Sequence, residues 1–237
     1  MAYNYLDLTN EVLARFNEVE LTASNFNSAR GFQIQCKNAV NASIRQINQQ
    51  KYGWPFNHET HNETLVAGTT RYDIPTNAKH VDYDTFRIRG DSGLNVEGRN
   101  LDQIDYKEYL NKYVEQEDET DVGSIPVYVF ETPDNNYGLY PYPDEAYTLT
   151  FEYYKIPDSL TAATDVPTIP ERFRHVIADG AVMYGFQFRG ETQQYQLAQQ
   201  RFEEGIKDMT THLINRFDYV RSTVKMRPQI IVNTRLV

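Results

Sequence analysis

The chain has 237 residues, 40% hydrophobic and 24% charged, with a formal net charge of −10 and one cysteine, Cys36. This composition excludes a disordered polyelectrolyte and any intrachain disulfide. The acidity has the wrong sign for a free-standing DNA binder, whose affinity comes from neutralising phosphates, although it suits a conduit wall that repels DNA.

In chain order, residues 6–18 read as a short helix with Leu6, Leu13 and Phe16 as apolar markers and Thr9 or Asn10 as cap. Residues 28–50 read as a longer helix, because Phe32, Cys36, Ala39, Val40, Ile44 and Ile47 recur at helical spacing. Gly53 is the expected C-terminal cap, and Pro55 blocks continuation. His58–Glu63 reads as an exposed polar loop.

Beyond residue 60 the period changes. Thr64–Pro75 looks like two short strands around a turn at Gly68, and Val81–Ile88 alternates with period two. A turn at Asp91-Ser92-Gly93 and then a short helix over about 102–113 follow, with Glu115, Glu117, Asp118, Glu119 and Asp121 as an acidic flank. Val127–Phe130 and Tyr137–Tyr140 form a hairpin through Pro133–Asn136. Tyr147–Tyr154 alternates so that Tyr147, Leu149, Phe151 and Tyr153 face a core.

Thr168 and Glu171 have capping-box spacing around Pro170. A stripe of Phe173, Val176, Ile177, Gly180, Ala181, Tyr184 and Phe188 follows, and Gly190 ends it. A last helix spans about 191–217, with Ala198, Phe202, Ile206, Met209, Leu213 and Phe217 on one face. Residues 218–237 lack helical period and carry Arg221, Lys225, Arg227 and Arg235; they read as an extended basic arm.

Neither helical end can bury its stripe alone. The expected fold is therefore α+β: an α-helical bundle from the N- and C-terminal helices, an inserted antiparallel β-rich domain, and the C-terminal arm. The expected boundaries are 1–59 and 158–217 for the bundle, 60–157 for the insertion and 218–237 for the arm. No apolar run approaches the ~18 residues of a membrane span. Met1–Asp7 has neither a basic nor an apolar signal region.

A search for chemistry finds little. His58 and His61 are three residues apart, whereas a zinc-protease helix places two histidines four apart. Cys36 lies on an apolar helix face, where a thiol is inert. The acidic run at 115–121 lacks the alternation and central glycine of a calcium loop. Tyr137, Tyr140, Tyr142, Tyr147, Tyr153 and Tyr154 would stack sugars if exposed and pack a sheet if not. No catalytic residue, metal ligand or cofactor motif emerges.

Three stretches carry a resemblance: Phe32–Ile47 followed by Trp54-Pro55-Phe56; Leu139–Leu149 leading to Tyr153-Tyr154-Lys155-Ile156-Pro157; and Val166–Phe173 with the helix pair after it. In this order they resemble the head-to-tail adaptor (connector) family of tailed bacteriophages, to which tail tubular protein A belongs. The resemblance implies a non-enzymatic virion protein at the head–tail junction, made in the bacterial host cytoplasm. It implies a homo-oligomeric ring, usually of twelve copies, between the portal protein and a tail nozzle or tail-tube connector, through which double-stranded DNA passes. It implies that the arm, with Arg221, Lys225, Arg227 and Arg235, reaches the portal. Glu115, Glu117, Asp118, Glu119 and Asp121 then become candidates to face the lumen or a partner. The competing reading, from the tyrosine-rich sheet, is a glycan-binding or receptor-attachment tail module.

Overall fold

A computed structural model describes residues 3–51, 53–90, 98–116 and 123–214. Five helices and two sheets make up this part of the chain, an α+β fold as the patterning requires.

Helix α1 (Tyr5–Arg15) starts at Asn4. The Asn4 side chain accepts from the Asp7 amide at 2.8 Å, and the Asp7 carboxylate accepts the Asn4 amide in return. The expected caps act elsewhere. The Thr9 hydroxyl is buried and donates to the Tyr5 carbonyl, while the Asn10 amide clamps both backbone groups of Leu21 at 2.8 Å.

Helix α2 (Phe32–Gln50) begins later than the periodicity suggests, after a 3-10 turn at Phe26–Ser28 and Gly31 with φ +55°. Gly53 does not cap it: Lys51 leaves the helix in extended conformation. Side chains from beyond the helix satisfy its last carbonyls instead. The Trp54 indole N–H donates to the Ile47 carbonyl at 2.8 Å. The Lys79 ammonium reaches the carbonyls of Asn48 and Lys51, where a cation also complements the helix dipole.

Helices α4 (Arg174–Arg189) and α5 (Thr192–Leu213) meet at Gly190, whose φ of +76° forms the left-handed stop. The Thr168–Glu171 capping box does not form. Thr168 donates to the Asn57 side chain instead, and a 3-10 turn at Glu171–Phe173 leads into α4. Phe188, placed on the buried stripe by its spacing, is 61% exposed, and Gly185 packs against Phe16. Helix α4 lies between α2 and α5 and packs on both. Contact is close at Gly180, where a Cβ would fall 2.3 Å from Ser43 Oγ of α2 and 2.6 Å from the Phe202 ring of α5. One apolar core joins residues from both chain ends, among them Leu8, Phe26, Val40, Ile47, Trp54, Ile177 and Phe202.

The middle of the chain is a two-sheet sandwich. Sheet one has the order β1-β8-β3-β4 (His58–Thr64, Tyr147–Lys155, Ala78–Gly90, Arg99–Asn100), all antiparallel. Sheet two has the order β2-β7-β6-β5 (Arg71–Asp73, Asn136–Tyr140, Tyr128–Glu131, Asp102–Gln103). Its β5–β6 pair is parallel, a departure from a purely antiparallel insertion. Of the two strands expected around Gly68 only the second forms, as β2; β1 ends at Thr64, so the segment from Leu65 to Ala67 is not strand, and β1 and β2 belong to different sheets. The turn there, with Gly68 at φ +78°, carries the chain between layers.

Phe86, Phe151 and Tyr137 bind the layers. Phe86 stacks on Phe151 at 4.4 Å, and Tyr137 meets both rings edge-on at 5.3 and 5.5 Å. Tyr147, Leu149, Phe151 and Tyr153 all face this core, as their alternation requires. The helix expected over 102–113 is shorter: α3 (Tyr106–Lys112) starts only after Asp102–Gln103 has paired with β6. It covers the outer face of sheet two, with Tyr109 4.0 Å from Phe130.

Candidate interaction surface

The residues that looked chemical in the sequence take structural places. His58–Glu63 is strand, not loop, because its alternating residues pair along the edge of β8. His58 and His61 therefore leave the strand on opposite faces. His61 is half-buried, 5.0 Å from the Phe151 ring, while exposed His58 lies 3.4 Å from Glu152. Among the described residues, no group of three or more His, Cys, Asp or Glu side chains is placed to hold a metal ion.

Cys36 is fully buried, and burial pushes its thiol up to about 12. The thiol thus stays protonated near neutral pH and is a poor nucleophile. Cys36 should therefore resist a thiol-specific reagent in the folded protein and react within minutes after unfolding in urea. Comparable labelling rates in the two states would contradict this burial.

Of the six tyrosines considered as a stacking platform, Tyr137, Tyr140, Tyr147 and Tyr153 are buried, so their rings serve the sandwich. Tyr137 donates to Glu63, and burial in the core is the main cause of its raised hydroxyl pKa. Tyr153 donates to Glu59 at 2.7 Å. The Glu59 carboxyl is held below its usual range, chiefly by its hydrogen bond from Lys155 and next by that from Tyr153.

Of the acidic run, Glu115 is exposed on a 3-10 turn after α3. Glu117, Asp118, Glu119 and Asp121 lie outside the described residues, as do Arg221, Lys225, Arg227 and Arg235 of the arm. A different acidic surface appears at a wide bulge in β3. Asp82, Asp84 and Glu131 line a cleft of about 380 Å³, and Asp105 lines an adjoining one of about 610 Å³. Lys79 and His80 line the first cleft too, and Asp105 and Glu131 lie far in sequence from the Asp82–Asp84 pair, so only the fold brings these segments together.

Two helix flanks also stand out. Helix α2 contains no carboxylate, and residues Thr192–Gln200 of α5 contain no charge. Those 28 residues hold only Lys37 and Arg45, where the chain's 24% charged fraction would give about seven. Their exposed positions are mostly amides, with Ile34 41% and Leu197 54% exposed among them. Depletion of charge on solvent-facing helices marks surfaces that a partner covers. The missing carboxylates can be counted in the sequence, but which face points outward cannot.

A well-packed scaffold with two charge-poor helix flanks is thus the main feature of the described residues. The family described as SU10 adaptor protein matches residues 3–227, almost the whole chain. The chain belongs to this family of phage head-to-tail adaptors. No curated protein matches it. Among the described residues of the adaptor, no helix is long and apolar enough to cross a membrane.

Proposed function

We propose that this adaptor assembles into a ring, of about twelve copies, between the portal and the tail, and that the ring extends the DNA channel at the head–tail junction of the virion. The family match over residues 3–227 carries this reading. Supporting it, the two chain ends share one helical core, so a subunit can hold a fixed rotation to its neighbour, which a closed ring demands. The helical core is the proposed ring body, and the β sandwich projects from it as a contact surface for a tail nozzle or tail-tube connector.

The basic arm, with Arg221, Lys225, Arg227 and Arg235, is proposed to dock on the portal. Glu115, Glu117, Asp118, Glu119 and Asp121 are proposed to face the lumen or a partner. A charge of −10 per chain becomes about −120 over ~12 copies, and acidity along the lumen keeps DNA from adhering during passage. The adaptor acts by position and shape, without catalysis.

Mixing the full chain with the portal protein of the same phage and measuring the mass of the product should reveal a multi-copy ring on the portal. An adaptor that stays monomeric with the portal present would overturn the proposal.

A further inference from the structure

Rotation about a ring axis changes neither the height nor the radius of an atom. In a ring whose helical cores stand along its axis, residues that touch across neighbouring copies therefore sit at matching levels along the helices of their own subunits. Helix α2 runs antiparallel to α4: Phe32 lies 6.0 Å from Phe188 at one end, while Ser43 lies against Gly180 further along. Helix α5 is also antiparallel to α4, with Phe202 at Gly180 and Gly205 at Val176. So α2 and α5 run in the same direction on two sides of α4, and Gly180 sets Ser43 level with Phe202.

From that level mark, equal helical rise puts Asn38 level with Leu197 and Arg45 level with Glu204. Asn38 and Arg45 share an exposed α2 stripe with Ile34 and Gln49. Leu197 and Glu204 share an exposed α5 stripe with Gln193 and Asp208. Neither Arg45 nor Glu204 has an ion-pair partner among the described residues. Gln200 donates to Glu204 at 3.1 Å, which holds that carboxylate on the outer face.

We infer that the α2 flank of one copy docks on the α5 flank of the next, with the helices near parallel, Asn38 facing Leu197 and Arg45 paired with Glu204. The inference rests on the ring reading and names the surfaces that close the ring. A rotation of about 30° between neighbours in a ring of ~12 keeps the two helices nearly parallel, within the range of ordinary helix packing. The α2 flank, whose one exposed charge is Arg45, then meets Glu204 and Asp208 at the matching end of α5, where Arg201 and Lys207 lie to either side of the stripe, so charge favours this pairing over contact of the α2 flank with itself.

The test uses full chains mixed with the portal protein of the same phage, with ring mass as the readout. Arg45→Glu should reduce assembled rings at least ~10-fold at the concentration that half-assembles the unaltered chain. Adding Glu204→Arg should restore them. Both positions are exposed, so thermal melting of each variant should match that of the unaltered chain. A chain carrying both Asn38→Cys and Leu197→Cys should form a covalent ladder of multimers on oxidation. Rings that assemble normally with Arg45→Glu, a loss that the swap fails to restore, or rings without the 38–197 linkage would overturn the flank pairing and leave the ring standing. An unaltered chain that never assembles would overturn both.

Discussion

Trp54→Ala should lower the unfolding free energy by about 3–5 kcal/mol, a large part of the ~5–15 kcal/mol that holds a domain together. Trp54 is fully buried and stacks on Phe56 at 5.5 Å, where the helical core passes into β1. Its loss removes a large apolar volume and strips the Ile47 carbonyl of its donor at the end of α2. The two losses compound, because the last turn of α2 also receives Lys79 from the sandwich. Trp54→Phe keeps most of the packing and loses the N–H, so it should cost markedly less. Urea unfolding followed by far-UV circular dichroism gives both values, which is necessary because Trp54 is the chain's single tryptophan. A cost below ~1 kcal/mol for the alanine variant would contradict the packing at this joint.

Deleting residues 218–237 should weaken binding to the portal at least ~100-fold while leaving the fold intact. The segment carries Arg221, Lys225, Arg227 and Arg235 against one carboxylate side chain, Asp218. The described part of the shared helical core runs to Leu213 and Ile214, upstream of the deletion. Charge attraction across an interface is screened by salt, so the portal affinity of the full chain should fall as ionic strength rises, and that of the shortened chain should change less. Melting temperature and circular dichroism should be unaffected by the deletion. Portal affinity unchanged by the truncation would sink the proposed role of the arm.

Some features were legible because they depend on local pattern. Alternation in Tyr147–Tyr153 identifies its buried face without any knowledge of its neighbours, and helical spacing does the same for Cys36, Val40 and Ile47. The glycine after α4 stops the helix by its own backbone freedom. The polar edge strand was not legible. His58-Glu59-Thr60-His61-Asn62-Glu63 has no apolar alternation to reveal it, because its inward residues Glu59 and Glu63 are satisfied by Tyr153 and Tyr137 from other strands. Capping failed for a similar reason: Gly53 and Thr168 had suitable side chains or spacing, but tertiary partners took their places.

By itself, the sequence determined the α+β class, the joining of two helical ends into one core and the order of the hairpin strands. It also carried the resemblance to phage head-to-tail adaptors, which the family match places on firm ground. These depend on periodicity and motif order, which are properties of neighbours along the chain. Only the tertiary structure decided that the Gly68 turn passes between two sheets, that Lys79 and Trp54 close the end of α2, and that Ser43 and Phe202 share a level at Gly180. Those facts depend on atoms distant in sequence meeting at van der Waals or hydrogen-bond range, and no local period encodes such a meeting. The charge-poor flanks of α2 and α5 needed both: composition showed that charge was missing, and packing around α4 showed which faces are exposed among the described residues.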